Sequence, residues 1–514
     1  MNERKTFLIM FFAALVFRLV LCLTFANEII PGSDQMQEIM LGRNLANGDL
    51  YGVLDTYWAP LYPILVGIVS LFIDSPVLPA ALVSILAGSL IAPLTYVLVL
   101  QSYTRREAFV AGTLAIFFPH LINSVFMVGS ENIYIVLLTG ALIVAWNALT
   151  RNSTFLHLAT GIILGLSYLT RPEAIGYPVY FAVLTLVCNY WSKRSFAKVS
   201  IPQVTALLLG FMLFAAPYLF YLRSEIGRWT LSGKTEINSL MAKVGDSPER
   251  EQITESLAPK SARIFAKYFL INLTEFHKAF PTLMPPALLL LMGLGLFRDR
   301  WEVSRRKREF YLILFCLVTL AGYAAAVVQL RYFYVLLPIL FGWVAYGIVS
   351  VSIWAADTFG DRAGIMENRD RGSNLVIAFV LVVIYVYVLP LNFFMTSSDR
   401  LWETSGYEER DAGLWLKRNV SPTALIFSAS RRPVFYAEAR QLPPTTNDLE
   451  EIYATIKDQK ADYVVTSERS LRRNPYLEDL PKILRTDPNF EQVYEFKKEG
   501  HGVLIFRQKG SSSP

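Results

Sequence analysis

Four charged side chains in this sequence have types and settings that suggest chemistry. Asp34 lies in PGSDQMQEIMLGRNLANGDLYG, just after the helix-breaking pair Pro31-Gly32. A carboxylate there can act as a general base. Ser33 or Asp34 equally suits the N-cap of an amphipathic helix running to Ala46, with Met36, Ile39, Met40 and Leu45 toward the membrane. Glu131, in MVGSENIY, stands at the edge of an apolar run. An acid in that position is costly unless it faces a polar cavity or a cation, although negative charge also suits a helix N-terminus. Arg171 in SYLTRPEAIGYP and Arg331 in QLRYFYVLLP each sit at the end of an apolar run. A planar, permanently charged guanidinium binds phosphate bidentately. Snorkelling to lipid headgroups, or pairing with Glu173 or Glu131, would serve the same residues. Tyr57, Tyr62, Glu173 and Tyr332 complete the candidates as substrate contacts, and Tyr57, Trp58 and Tyr62 also fit an interfacial aromatic belt. Arg18 lies inside the first apolar run, where an arginine signals either function or a structural partner within the bundle.

The elements that must position these groups are membrane helices. Of 514 residues, 54% are hydrophobic and only 18% charged, below the charged share of ordinary soluble domains. The formal charge of +6 does not point to nucleic acid, because the basic residues fall in short loops between apolar runs. Cys22, Cys188 and Cys316 lie in or beside apolar runs and offer no disulfide framework or zinc spacing. The four histidines show no metal-ligand spacing either. The apolar run after Arg4 and Lys5 lacks a small-residue cleavage site and reads as a retained helix.

Apolar length predicts eleven spans: Phe7–Ala26, Val77–Leu100, Ala108–Asn123, Ile133–Leu149, Phe155–Thr170, Ala174–Tyr190, Val204–Leu222, Thr282–Phe297, Phe310–Val328, Tyr332–Trp354 and Leu375–Phe394. Leu61–Ile73 is apolar but short and carries Pro63; as a helix it is roughly 20 Å long against a ~30 Å hydrocarbon core. Loop charge decides its place. If it lies in the interface, Arg105/Arg106, Arg151, Lys193/Arg194/Lys198, Arg298–Arg308 and Arg362/Arg369/Arg371 all fall on one side. The loop from Asn27 to Pro76 then has one basic residue, Arg43, against six acids. By the positive-inside rule the basic side, with the N-terminus, is cytoplasmic, and an odd span count puts the C-terminal region outside. A long loop from Arg223 to Pro281 is expected on the outer side.

From Thr396 the composition turns charged and globular. Helices are predicted at Tyr407–Arg418 and Asn447–Gln459, and strands at Ala424–Ala429 and Ala461–Thr466. A hairpin of Gln492–Phe496 and Val503–Phe506 flanks Gly500-His501-Gly502. The expected architecture is thus a mainly α membrane protein of about eleven transmembrane helices, residues 1–395, with interfacial helices in its first outer loop. A small α/β extracytoplasmic domain, residues 396–514, follows it, and Ser511–Pro514 reads as a frayed tail.

In their order, Asp34, APLYP (Ala59–Pro63), SEN (Ser130–Asn132), GLSYLTRPE (Gly165–Glu173) and RYFYVLLP (Arg331–Pro338) resemble the GT-C glycosyltransferases. The likeness is to the bacterial and archaeal branch related to protein O-mannosyltransferases and lipid A aminoarabinose transferases, and it covers almost the whole chain. The resemblance implies a hexosyl- or pentosyltransferase of the cell (inner) membrane. Its sugar comes from a polyprenyl or dolichyl phosphate donor and passes to a protein, lipid or glycan acceptor outside the cytoplasm, with inversion. It also implies that Asp34 is catalytic, with Glu131 or Glu38 as a second carboxylate, because Gln35 stands where the mannosyltransferases have the second acid of an Asp-Glu pair. Some relatives bind a divalent metal; this loop has no DxD, which leaves a divalent metal open and no cofactor certain. Inversion at a phosphate-linked sugar needs one base and cationic stabilisation of the leaving group, whereas two carboxylates as acid and base belong to glycoside hydrolysis. A transporter or flippase of a lipid-linked sugar is the rival reading. Transporters favour internal repeats and polar residues at the midplane; this sequence shows no clear repeat and sets its polar residues at the rim.

Overall fold

The computed structural model describes residues 2–25, 29–192, 196–234, 262–297, 303–325, 328–363, 369–390, 406–497 and 501–510. The chain divides into two compact units. The first comprises Met1–Thr24, Leu41–Phe72 and Ala80–Ser398; the second comprises Phe25–Met40, Ile73–Pro79 and Asp399–Pro514.

The first unit is a helical bundle. Its opening helices are α1 (Glu3–Thr24), α2 (Ser33–Ala46, from Leu41 onward), α3 (Leu61–Ser70), α4 (Leu78–Leu100), α5 (Arg105–Phe117), α6 (Pro119–Phe126), α7 (Glu131–Arg151), α8 (Thr154–Thr170), α9 (Gly176–Trp191) and α10 (Ile201–Ile226). Helices at Ala262–Leu283, Pro286–Phe297, Val303–Ala325, Leu337–Ala363 and Arg369–Val383 follow. Among the described residues eight helices are long and apolar enough to cross a membrane, and up to ten if each bent pair is one span. The protein is therefore a multi-pass membrane protein. Of the expected spans, Phe155–Thr170 corresponds to α8, a shorter apolar helix of 17 residues. It lies backbone to backbone against α10: a Cβ on Gly161 would overlap the Leu207 carbonyl, and one on Gly210 would overlap that of Leu158. Small residues at such a crossing let helices approach closely where no hydrophobic effect drives them together. The ten-residue α3 is too short to span, and it meets α2 where Gly42 faces Gly67.

Proline sets the breaks. Residues 269–283 and 286–297 form two helices bent by 100° around Pro285, so the expected span Thr282–Phe297 starts on the wrong side of a corner. Much of the expected loop before it is helical, since α10 runs to Ile226 and another helix starts at Ala262. Residues 235–261 lie outside the described residues. So do Lys193/Arg194, Arg298–Glu302, Thr396, Gly500 and Ser511–Pro514, on which parts of the loop, boundary, hairpin-turn and tail expectations fall.

The expected span Ala108–Asn123 is likewise two helices, α5 and α6, bent by 43° at Phe118-Pro119. Pro119 has no N–H to donate to the carbonyl of Ala115, which an α-helix would pair with residue 119. Arg18 fills that vacancy. Its Nη2 donates to the Ala115 carbonyl at 3.4 Å and its Nη1 to Ala14 at 3.4 Å. The side chain is 1% exposed. Between the two readings of Arg18, the structure shows the partner within the bundle: a backbone carbonyl at a kink, which could not stay unpaired in hydrocarbon.

In the second unit, strands β1 (Leu425–Ser428), β2 (Arg440–Leu442), β3 (Tyr463–Ser467), β4 (Phe490–Phe496) and β5 (Val503–Gln508) form one sheet of order β2-β1-β3-β5-β4. The first three are parallel, and β5 runs antiparallel to β3 and β4. Leu416, Ile426, Val434, Val465 and Ile505 pack one face; Phe427, Ile456, Val464, Leu480 and Phe506 pack the other. The predicted helices appear at Tyr407–Asn419 and Leu449–Asp458, and the hairpin at β4–β5. The three-residue β2 and the helix Arg431–Ala437 were not expected. Glu409, fully buried, accepts from Arg432 Nη1 (2.7 Å), Ser430 Oγ (2.8 Å) and Ser467 Oγ (2.6 Å). Donation by Lys457 (2.7 Å) and Tyr453 holds the Asp487 carboxyl well below the usual range.

Capping of the α5 break by Arg18 predicts coupling with Pro119. Unfolding measured in detergent should show Arg18→Met costing about 1–2 kcal/mol more beside Pro119 than in a Pro119→Ala background, where residue 119 can donate for itself. Equal costs in both backgrounds would remove the capping role.

Candidate functional site

Glu131 opens α7, and two anchors fix the turn before it. Val128 has φ +47°, a left-handed backbone that a β-branched residue adopts only when its surroundings impose it. The fully buried Tyr62 donates its hydroxyl to the Val128 carbonyl. On the other side of Glu131, the Asn132 amide donates to the Ser124 carbonyl (3.0 Å) and accepts from Ser124 Oγ (2.8 Å), binding α7 to α6. Tyr62, expected as a substrate contact or belt residue, is instead a buried brace. In SEN, the middle residue faces a site while Asn132 holds the frame.

Arg171 is placed by the proline after it. Pro172 disfavours helical geometry at Arg171, which is extended (φ −149°, ψ 123°) where α8 stops. Arg331 sits in the 3₁₀ segment Leu330–Leu336 that leads into Leu337–Ala363, and its Nε donates to Gln329 Oε1 at 2.9 Å. These junctions bring together two arginines 160 residues apart in the chain. Arg171 Nη1 lies 3.2 Å and Arg331 Nη1 lies 3.5 Å from the same Glu131 oxygen, Oε1. Glu131 and Arg171 are buried, while Arg331 remains 23% exposed. Glu173 Oε2 stands 3.7 Å from Arg171 Nε.

Aromatic rings wall the cluster. The Arg171 guanidinium lies 4.8 Å from the Tyr332 centroid and 5.7 Å from that of Tyr134, and Arg331 lies 5.7 Å from Tyr332. Tyr332 stacks on Tyr323 at 5.2 Å and 20°. Each cation–π contact contributes about 0.5–2 kcal/mol, more as water is excluded. Glu131, Tyr134, Arg171, Tyr323, Arg331 and Tyr332 line a small hollow. Tyr134 and Tyr323 were missed from sequence. Tyr134 had a signal: it lies three residues after Glu131, hence on the same helix face. Tyr323 had none, since its position follows only from how Val303–Ala325 packs.

Tyr57 packs edge-on against Trp58 at 4.7 Å, and Lys234 Nζ sits 5.5 Å from the Tyr57 ring and 5.1 Å from that of Trp58. Asp34 belongs to the second unit, in the first turn of α2, partly exposed. There Arg431 Nη1 donates to the carbonyl of its neighbour Ser33 at 3.5 Å. Met36 and Ile39, expected toward the membrane, are each 2% exposed and so are buried in protein. Glu38, the other candidate for a second carboxylate, is also buried. Among the described residues, no three His, Cys, Asp or Glu side chains converge in a metal-holding group.

A family profile described as dolichyl-phosphate-mannose-protein mannosyltransferase matches residues 58–221, which include Tyr62, Glu131 and Arg171. ArnT from Cupriavidus metallidurans bound to undecaprenyl phosphate is similar in structure, with a TM-score of 0.56 and 12% identity. The similarity covers 97% of this chain and 99% of that one. The archaeal oligosaccharyltransferase AglB from Archaeoglobus fulgidus, in complex with an inhibitory peptide and a dolichol-phosphate, gives a TM-score of 0.54 at 13% identity. There the similarity covers 100% of this chain and 75% of that one. No curated protein sequence matches. The chain has the fold of the GT-C glycosyltransferases, as its motifs led one to expect.

The shared carboxylate predicts an anion-dependent defect. Glu131→Gln leaves two close guanidiniums without the carboxylate they share, and breaking a buried ion pair costs about 3–5 kcal/mol. The variant should melt below wild type, and millimolar inorganic phosphate should recover more of the loss than chloride does. An unchanged melting temperature would show that Glu131 does not hold the arginines.

Proposed function

We propose that the protein is a glycosyltransferase that takes its sugar from a polyprenyl or dolichyl phosphate carrier and passes it, with inversion, to an acceptor on the extracytoplasmic face. The observation that carries this reading is the convergence of Arg171 and Arg331 on one Glu131 oxygen in an aromatic-walled hollow. Each guanidinium is a planar fork of five N–H donors, and the two converge on one point. The phosphodiester of such a donor offers two non-bridging oxygens and gains a second charge as the sugar leaves, and it can exchange with Glu131 or bind beside it. Similarity to proteins solved with undecaprenyl phosphate and dolichol-phosphate supports the same ligand class.

In this reading the arginines hold the leaving phosphate and stabilise the charge it gains as the glycosidic bond breaks. Glu131 keeps both guanidiniums aimed at one point before the donor arrives. Asp34 takes the acceptor's proton as that oxygen attacks the anomeric carbon from the opposite face. Tyr57, Glu173 and Tyr332 contribute substrate contacts. The loop charges favour a cytoplasmic N-terminus, with residues 396–514 forming an extracytoplasmic domain.

Membranes from cells lacking the gene, complemented with each variant and analysed by glycan mass spectrometry, separate the roles. Asp34→Asn should cut transfer by ~10²–10⁴-fold, the usual worth of a positioned base, while retaining polyprenyl phosphate. Arg171→Lys and Arg331→Lys keep the charge but lose the fork, so each should weaken polyprenyl phosphate binding about tenfold, equal to about 1.4 kcal/mol. Near wild-type transfer by Asp34→Asn would exclude it as the base. Unchanged binding in both lysine variants would make the arginines interfacial anchors.

A further inference from the structure

A second polar hollow lies at the far end of the helices that build the first. Trp146 follows Glu131 by fifteen residues on α7, and Arg308 precedes Tyr323 by fifteen on Val303–Ala325. At 1.5 Å per residue each interval is about 22 Å. The hollow is shallow and is lined by Gln101, Ser102, Trp146, Arg308 and Tyr311, with Leu98 and Leu312 as apolar walls. Its frame is fixed: Tyr311 donates its hydroxyl to the Leu142 carbonyl (2.8 Å), and Gln101 Nε2 donates to that of Ile143 (3.3 Å).

Among the described residues, one buried donor in this hollow lacks an acceptor and one cation lacks a carboxylate. The Arg308 guanidinium lies over the Trp146 ring at 5.1 Å and has no carboxylate partner among the described residues. Its neighbour Arg305, by contrast, is paired with the buried Glu309 at 3.0 Å. Trp146 Nε1 is buried and has no hydrogen-bond acceptor among the described residues. An indole N–H is donor only, and leaving it unpaired costs about as much as a lost hydrogen bond. A half-buried guanidinium beside an unsatisfied N–H is a pair that one phosphate group can satisfy through two of its oxygens.

We propose that this hollow binds the phosphate of an anionic membrane phospholipid. The apolar walls and the position at a helix end favour a lipid over a free ion. So does the company of Arg105, Arg151, Arg306 and Lys307 at the same end of the bundle, since basic pockets between transmembrane helices attract anionic headgroups. The site is separate from the Glu131 hollow and does not depend on the transfer reaction.

The test is native mass spectrometry of the full-length protein in neutral detergent, titrated with phosphatidylglycerol or with phosphatidylcholine, alongside thermal melting with inorganic phosphate. Wild type should retain phosphatidylglycerol in preference to phosphatidylcholine. Arg308→Gln should lower that retention about tenfold, and Trp146→Phe, which keeps a ring and deletes the N–H, about threefold. Lys307→Gln, on the exposed face, should leave it unchanged. Equal retention by wild type, Arg308→Gln and Trp146→Phe would overturn the site. Stabilisation by inorganic phosphate that Arg308→Gln abolishes, without lipid retention, would overturn the lipid assignment. If Arg308→Gln fails to fold, Trp146→Phe decides alone.

Discussion

Two guanidiniums share one carboxylate oxygen near the end of a membrane bundle, and much of the surrounding structure answers the demands of that arrangement. Without Glu131, Arg171 and Arg331 would repel each other in a partly dry site. Without the arginines, Glu131 would be an uncompensated buried acid. Glu131 must therefore be held in place. Tyr62 does this through the Val128 carbonyl, and Asn132 does it through Ser124. The stacked pair Tyr323–Tyr332 walls one side of the cluster.

Helix interruption is the means by which a bundle makes such a site. An unbroken helix satisfies its own backbone and presents side chains at fixed intervals, so it cannot turn an arginine into a cavity at will. Pro172 stops α8 at Arg171, and a 3₁₀ segment carries Arg331. Each interruption frees backbone groups that hydrocarbon cannot satisfy. Arg18 shows how the chain handles one such debt, donating to the carbonyl that Pro119 leaves unpaired at the α5–α6 bend.

The sequence made several of these features legible and hid others. Apolar length revealed the helices, and alternation with turn residues revealed the β4–β5 hairpin. Charge at the ends of apolar runs singled out Glu131, Arg171 and Arg331, because a charge beside hydrocarbon needs a reason. The corner at Pro285-Pro286 falls inside the expected span Thr282–Phe297, since hydropathy is blind to direction. Tyr62 was read as interfacial because an aromatic residue near a helix start looks the same whether it faces lipid or braces a turn. Tyr323 carried no signal, since it reaches the site only through the packing of Val303–Ala325. Strand β2 is three residues long, too short for any alternation to register.

The central claim is that the guanidinium pair is a phosphate site that Glu131 keeps assembled while it is empty. A high-resolution cryo-EM structure of the protein with polyprenyl phosphate tests it directly. The account predicts phosphate density within hydrogen-bonding distance of both Arg171 and Arg331, with the Glu131 contacts lengthened or exchanged for contacts to the phosphate. Phosphate bound elsewhere in the protein, with both arginines still on Glu131, would contradict it.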